Sequence, residues 1–191
     1  MKAAYIVDDP DIAGILIDPM RRAILTFLRQ KPMTQAQLAD ELGLSDASLN
    51  YHMKILKKAG LVAIMKKVAE GHGIIQKFFS PAAYLFVYDL DALPKNIARY
   101  FYPVSIERSW GMVGAFSAKD DNRAWQKVPG IDGITLALSR MLVETARPYA
   151  RKETAHGNEG VAYEIYSKAV KAWIDQKDAP RPKRRQRTAR R

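Results

Sequence analysis

The sequence predicts a mostly α-helical protein that contains one small β-hairpin. Three capped helical segments follow one another within residues 18–59, and apolar side chains recur in them at helical spacing. Residues 61–79 contain two β-prone runs around a glycine-containing turn. Beyond residue 81, long stretches again carry apolar residues at helical spacing. These observations give the fold class and suggest a division of the chain near residue 80.

The first two helices are predicted from their end signals. Asp18 is a favoured N-cap, and Pro19 suits the first position of a helix. Pro32 ends this helix. Thr34 starts a second helix, because Thr34 and Gln37 match a capping box, in which each side chain bonds the other residue's backbone. Both segments therefore carry a defined start in their own sequence.

The third helix, residues 46–59, follows a tight corner. Gly43 suits the left-handed residue that ends the second helix, Ser45 can cap the third, and Gly60 stops it. The inward positions are predicted to be Leu49, either His52 or Met53, and Leu56. One buried face leaves an outer face that carries short and polar side chains.

The hairpin, residues 61–79, consists of the runs LVAIMKKV and IIQKFFS on either side of the turn at residues 69–73. The order of helix, helix, helix and hairpin is typical of a winged helix-turn-helix. Ser80-Pro81 is predicted to mark its end. We therefore expect a winged helix-turn-helix, residues 1–80, followed by a helical C-terminal region.

That C-terminal region, residues 81–179, is expected to be helical. The run AAYLFVYDLDAL is apolar and continuous and is predicted as a helix, whereas Pro103 leaves residues 95–116 ambiguous. Two amphipathic stripes follow, comprising Ile134, Leu138, Met141, Leu142 and Thr145, and then Tyr163, Tyr166, Val170 and Trp173. The tail, residues 180–191, has no apolar content beyond one alanine and two prolines, so it is predicted to be disordered alone.

The charge distribution points to a polyanionic partner. The net charge is +11, with ten basic and four acidic side chains in residues 19–80 and seven basic and no acidic ones in residues 180–191. Nucleic acid fits such a balance best, and an acidic membrane surface comes second. No apolar run approaches the roughly 20 residues that cross a bilayer, so we expect a cytoplasmic protein and no membrane partner.

The third helix has the features of a helix that reads DNA. The second and third predicted helices form the helix-turn-helix. The later helix of such a pair lies in the major groove, where each base pair presents a distinct pattern of donors and acceptors. Asn50 could pair with adenine, Ser48 could bond a base or a phosphate, and Asp46 could accept from cytosine. The predicted contacts on this helix are Asp46, Ala47, Ser48, Asn50, Tyr51 and Lys54. The alternative for each is a solvated residue on a surface helix.

The hairpin carries a second set of predicted DNA contacts, namely Lys66, Lys67, His72 and Lys77. A wing lies along the phosphate backbone or in the adjacent minor groove, where charge serves binding regardless of sequence. An ordinary charged hairpin is the alternative.

The runs DPMRRAILTFL, MTQAQLADELGLSDASLNYHMKILKKAGLV and GIIQKFFSP resemble the ArsR-type winged-helix transcriptional regulators over about residues 18–80. The resemblance implies a homodimer whose matching helix enters the major groove through Ser48, Asn50, Tyr51 and Lys54, with the wing lysines on the DNA. Metal-sensing members of that family carry cysteine pairs or histidine-carboxylate sites, and this chain has no cysteine and three widely separated histidines. We therefore expect no metal and no cofactor.

Two further functions are alternatives to a DNA-binding regulator. Catalysis is not expected, because the sequence lacks a phosphate-binding glycine loop, a nucleophile elbow and a histidine-zinc motif. A non-specific nucleic-acid-binding or architectural protein, dominated by the basic tail, is the main alternative. The aromatic residues after residue 81 suit core and dimer interface, or a pocket for an unknown small-molecule effector. The overall expectation is a homodimeric, sequence-specific regulator of transcription, with a repressor favoured over an activator.

Overall fold

The computed structural model describes residues 1–70, 74–117 and 131–178. Within that part of the chain, helices dominate and the strands form two separate two-stranded sheets. In chain order the elements are β1 (Lys2–Val7), α1 (Pro10–Leu16), α2 (Pro19–Gln30), α3 (Gln35–Leu42), α4 (Asp46–Lys58), β2 (Val62–Ala69), β3 (Ile75–Pro81), β4 (Ala83–Tyr88), α5 (Lys95–Ala98), α6 (Tyr102–Ser117), α7 (Ile131–Ala146), a 3₁₀ helix (Arg147–Arg151) and α8 (Glu159–Asp178).

Helices α2 to α4 begin and end where the sequence predicts. The Asp18 carboxylate accepts a hydrogen bond from the backbone N–H of Met20 at 2.8 Å. The capping box of α3 is present in both directions, with Gln37 N–H donating to the Thr34 hydroxyl at 3.2 Å and Thr34 N–H to the Gln37 side chain at 2.9 Å. Gly43 adopts a φ of 61°, which glycine reaches without the steric cost that a Cβ would impose.

The helix-turn-helix core is formed by side chains at helical spacing. Leu28 of α2 and Leu49, Met53 and Leu56 of α4 are fully buried. Of the two candidates for the middle inward position of α4, Met53 is therefore the core residue. His52 lies beside it, half-buried, with Nδ1 3.5 Å from the Asp18 carboxylate.

The predicted hairpin is confirmed. Strands β2 and β3 pair antiparallel, with a register running from Val62 opposite Pro81 to Ala69 opposite Ile75 and a bulge between Ile64 and Lys66. Residues 71–73 of the turn, which include His72, lie outside the described residues.

The helix predicted for residues 82–93 is wrong, because the chain forms strand β4 there. Strand β4 pairs in parallel with β1, from Lys2 opposite Ala83 to Val7 opposite Tyr88. All six residues of β4 are buried, so the strand has no polar face. A strand covered on both faces has the same continuous apolar sequence as a buried helix, and periodicity cannot separate the two.

The two-stranded ribbon of β1 and β4 contributes to two clusters of buried side chains. Phe86 and Tyr88 pack with the core of helices α1 to α4, whereas Leu85 and Val87 pack with α7 and α8. This follows from the alternation of side chains along a strand. The division of the chain near residue 80 stays a prediction. Strand β1, which lies before this point in the sequence, pairs with β4, which lies after it.

The C-terminal helices largely follow the predicted stripes. Pro103 lies in the first turn of α6, where a proline is tolerated. Leu138 and Leu142 of α7 and Trp173 of α8 are buried, but Tyr163 is 71% exposed and does not belong to the buried stripe. Among the described residues, no helix is both long and apolar enough to cross a membrane.

A pair of substitutions on α4 tests which face of this helix supports the fold. Leu56→Ala removes a side chain with no exposed surface and should lower the free energy of unfolding by about 2–5 kcal/mol. Tyr51→Ala, on the outer face, should change it by less than about 0.5 kcal/mol. Urea unfolding of both variants measures the difference, and equal losses would contradict the assignment of the two faces.

Candidate nucleic-acid interface

Helix α4 is held by one face and presents the other to solvent. Leu49, Met53 and Leu56 have no exposed surface and fix the rotation of the helix about its axis. At its start, the Ser45 hydroxyl accepts a hydrogen bond from the N–H of Ser48 at 3.3 Å. The opposite face therefore projects side chains from a fixed scaffold, which is what base reading in a groove requires.

The predicted contacts of α4 lie on this outer face, with one partial exception. Ser48 is only half-exposed, and its backbone serves the N-terminal cap. The five exposed positions are Asp46, Ala47, Asn50, Tyr51 and Lys54. They span the first three turns of the helix, so the structure brings them onto one surface.

Asn50 has a partner that the sequence did not reveal. The side-chain amide of Gln35, at the start of α3, donates to Asn50 Oδ1 at 3.3 Å. An amide oxygen has two acceptor sites and the amide nitrogen two donors, so Asn50 retains both functions that pairing with adenine requires. Gln35 therefore orients Asn50, and it is a further candidate contact itself. Only the packing of α3 against α4 shows this pairing.

Helix α4 is also joined to the start of α2. The His52 ring lies 3.5 Å from the Asp18 carboxylate through Nδ1, and the same carboxylate lies 3.6 Å from Arg21 Nε. The rings of Tyr51 and His52 meet edge to face at a centroid distance of 5.4 Å. A residue of the outer face is thus connected through His52 to the residue that caps α2.

The hairpin lysines are all exposed, and they divide between its two faces. Lys67 and Lys77 are direct cross-strand partners, so their side chains share one face. Lys66 is paired with Phe78 and lies over its ring at 4.6 Å on the other face. Like charges placed directly opposite each other destabilise a hairpin unless an anion lies between them. The Lys67–Lys77 pair is therefore the part of the hairpin best suited to a phosphate.

A further lysine joins α4 to the base of the hairpin. The ammonium group of Lys57, in the last turn of α4, lies 5.5 Å from the centre of the Phe79 ring. Residue spacing alone does not single out Lys57, although a cation in the last turn of the helix is also favoured by the helix dipole. Lys57 adds positive charge next to the hairpin. The basic tail, residues 180–191, and His72 lie outside the described residues.

Comparison with known proteins identifies the same segment. A family model described as a helix-turn-helix domain matches residues 16–64. This segment contains α2, α3 and α4 and makes up less than half of the chain. No curated protein matches the chain. The match indicates a DNA-binding regulator and DNA as partner, and it leaves the resemblance to the ArsR type a prediction. The chain thus contains a helix-turn-helix domain, with helices following it.

The repulsion between Lys67 and Lys77 predicts how a substitution changes the free energy of unfolding of the protein without DNA. Lys77→Ala removes the repulsion between the paired ammonium groups and should raise the free energy of unfolding at low salt by a few tenths of a kcal/mol, below about 1. The gain should vanish near 1 M salt, because screening already suppresses the repulsion there. Lys66→Ala is the control: Lys66 lies on the other face over the Phe78 ring, so its removal should give no gain in stability at low salt. A stability loss for Lys77→Ala at low salt would show that the pair is not repulsive.

Proposed function

We propose that the protein is a homodimeric regulator of transcription that binds specific sequences of double-stranded DNA and acts as a repressor. In this proposal α4 enters the major groove and the β2–β3 hairpin lies on the phosphate backbone or in the adjacent minor groove. No cofactor, metal or catalytic step forms part of it. A dimer bound at a promoter would block polymerase directly, which favours repression over activation.

One observation carries the proposal: the polar face of α4 is exposed while Asn50, at its centre, is held by a hydrogen bond. The buried stripe of α4 sets the direction of the face, and the hydrogen bond from Gln35 orients Asn50 on it. A solvated surface helix needs no such positioning. Side chains held in place before binding lose less entropy when they meet base edges.

The hairpin supplies the sequence-independent part of the binding. Lys67 and Lys77 place two ammonium groups on one face, and an anionic backbone would relieve their repulsion. Each phosphate contact of this kind releases counterions and makes affinity depend on salt. Base contacts by α4 and phosphate contacts by the hairpin therefore predict different losses on mutation.

The homodimer is supported by two exposed apolar side chains on α8. Tyr163 is 71% exposed and Ile174 is 38% exposed. They lie three turns apart on the same side of the helix, with the buried Val170 between them and the buried Ile165 on the opposite side. Exposed apolar side chains on one side of a helix suit packing against a symmetry mate. A two-fold dimer would place the two copies of α4 about 34 Å apart along the DNA.

A binding selection from random duplex DNA tests the proposal. It is performed near physiological salt, once with the full chain and once with a chain lacking residues 180–191. An inverted repeat with half-site centres about 10 base pairs apart, or a multiple of that, is expected from both proteins. Recovery of no motif by folded protein that still binds duplex would favour the alternative, a non-specific architectural protein. Loss of all binding without residues 180–191 would assign the affinity to the tail.

Two single substitutions separate base reading from backbone binding on the selected site. Asn50→Ala should relax the preference at one base pair, costing about 1–3 kcal/mol on the selected sequence and little on random DNA. Lys67→Ala should weaken binding to both sequences alike and reduce the slope of log K against log salt by about 0.9. Fluorescence anisotropy across a salt series measures both. Equal losses on specific and random DNA for Asn50→Ala would argue against sequence reading.

The dimer surface has its own test. Tyr163→Asp places a charge at an exposed apolar position of α8 and should convert a dimer into a monomer in sedimentation velocity, while the thermal unfolding of the protomer changes little. Lys171→Ala is the control on the same helix. A wild-type chain that sediments as a monomer, or a Tyr163→Asp dimer, would exclude this face as the dimer interface.

A further inference from the structure

A cavity of about 180 Å³ lies between α2, β4 and α6. Arg22 and Arg29 reach it from α2, and Arg108 reaches it from α6. Tyr84, Phe86 and Tyr88 form its opposite wall, and they are alternate residues of β4 that point to the same face. The cavity is therefore made jointly by α2, the first of the three helices of the helix-turn-helix domain, and by the segment that follows the hairpin.

The three arginines carry positive charge that the described residues do not neutralise. None of the ion pairs found among the described residues includes Arg22, Arg29 or Arg108. No acidic side chain is among those described as lining the cavity. All three arginines are half-buried, so water screens their mutual repulsion less than it would on an open surface. Such a concentration of charge favours an anion.

The arginines differ in what occupies their hydrogen-bonding groups. Arg22 Nη1 donates to the carbonyls of Leu16 and Ile17, both at 2.7 Å, and so closes the end of α1. Arg108 Nη1 donates to the carbonyl of Phe86 at 2.8 Å. Arg29 Nε is buried and finds no hydrogen-bond partner among the described residues. A guanidinium has five N–H donors, so Arg29 and Arg108 retain donors for a ligand.

The aromatic wall supplies flat apolar surface beside these cations. The Arg29 guanidinium lies 5.3 Å from the centre of the Tyr84 ring, and that of Arg108 lies 5.5 Å from the centre of the Tyr88 ring. Tyr88 in turn stacks on Phe101 at a centroid distance of 4.1 Å, which braces the wall from behind. Burial raises the pKa of the Tyr88 hydroxyl, although Arg108 and Arg22 act in the opposite direction. A neutral phenol does not cancel the charge of the arginines.

We propose that this cavity is an effector site for a small aromatic carboxylate, held by Arg29 and Arg108 through its carboxylate and by the β4 rings through its apolar body. Guanidinium groups bind planar carboxylates with paired hydrogen bonds, which a point charge cannot match. The volume equals that of about six water molecules of liquid and lies below the roughly 300 Å³ of a drug-sized site. One ring bearing one carboxylate is the size that fits.

The effect of the ligand on DNA follows from the position of α2 and rests on the proposed function. Arg22, Thr26 and Arg29 form the cavity side of α2, whereas Ile24 and Leu28 belong to the core that supports α4. At the start of the same helix, Asp18 contacts His52 of α4. A ligand that draws α2 towards β4 therefore acts on the element that sets the position of the DNA-reading helix.

Isothermal titration calorimetry on the full chain tests the site, with benzoate as probe, benzyl alcohol as its neutral counterpart and inorganic phosphate as an anion without a ring. Benzoate should bind with a dissociation constant at or below about 1 mM. Benzyl alcohol and phosphate should each bind at least about tenfold more weakly. Binding of phosphate as tight as that of benzoate would overturn the assignment of an aromatic ligand, and absence of benzoate binding would overturn the site.

Substitutions then locate the binding. Arg29→Gln and Arg108→Gln should each weaken benzoate binding at least about tenfold, whereas Arg29→Lys keeps the charge and should lose less. Arg99→Gln is the matched control, because Arg99 is exposed and contacts Tyr100 outside the cavity. Thermal unfolding verifies that each variant is folded. If Arg29→Gln does not fold, the benzoate affinity of Arg108→Gln alone tests whether the ligand binds in the cavity. Unchanged benzoate affinity in the folded cavity variants would overturn the proposal.

The coupling to DNA is measured separately on the duplex recovered by selection. Saturating benzoate should change the affinity for this duplex about fivefold or more, and Arg29→Gln should abolish the change. Benzoate binding without any change in DNA affinity would overturn the effector role. A chain that binds benzoate but no duplex would contradict the proposed function and leave the ligand site supported, so the two failures are distinguishable.

Discussion

The pairing of β1 with β4 is the constraint on which the rest of the structure depends. Strand β4 is entirely buried and β1 is buried at Ala3, Ala4 and Val7, and a buried backbone must find its hydrogen bonds within the protein. On its other edge β1 bonds the loop after the 3₁₀ helix, through Ala3 N–H to the Lys152 carbonyl at 2.8 Å. Because β1 precedes and β4 follows the helix-turn-helix and its hairpin, this pairing joins both ends of that module to the C-terminal helices.

The elements that the sequence predicts well are those with local signals. Asp18, Thr34 and Ser45 each satisfy backbone groups within three residues, and Gly43 needs its conformation whatever surrounds it. The strand β4 has no such signal. Its neighbour in the sheet is β1, far away in sequence, and burial on both faces removes the polar alternation that marks a strand. Its identity as a strand therefore depends on a non-local contact.

The candidate DNA-binding site divides in the same way. The outer face of α4 follows from helical periodicity once Leu49, Met53 and Leu56 are recognised as inward. The hydrogen bond between Gln35 and Asn50 depends on how α3 crosses α4, and the pairing of Lys67 with Lys77 depends on strand register across a bulge. Both lie beyond what residue spacing reveals. The arginines of α2 are spaced as one helical side, but only the strand opposite them distinguishes a cavity from a solvated face.

Helix α2 is thus shared between two surfaces, and this sharing decides how a ligand could act on DNA binding. A ligand shifts a protein only between states for which its affinities differ. A site confined to one rigid element would offer no such difference, whereas this cavity changes shape whenever α2 moves relative to β4 and α6. In the proposed effector role, the contact between Asp18 and His52 would carry such a movement to α4. The two-stranded ribbon supplies the fixed reference, since β4 is held both by β1 and by the C-terminal core.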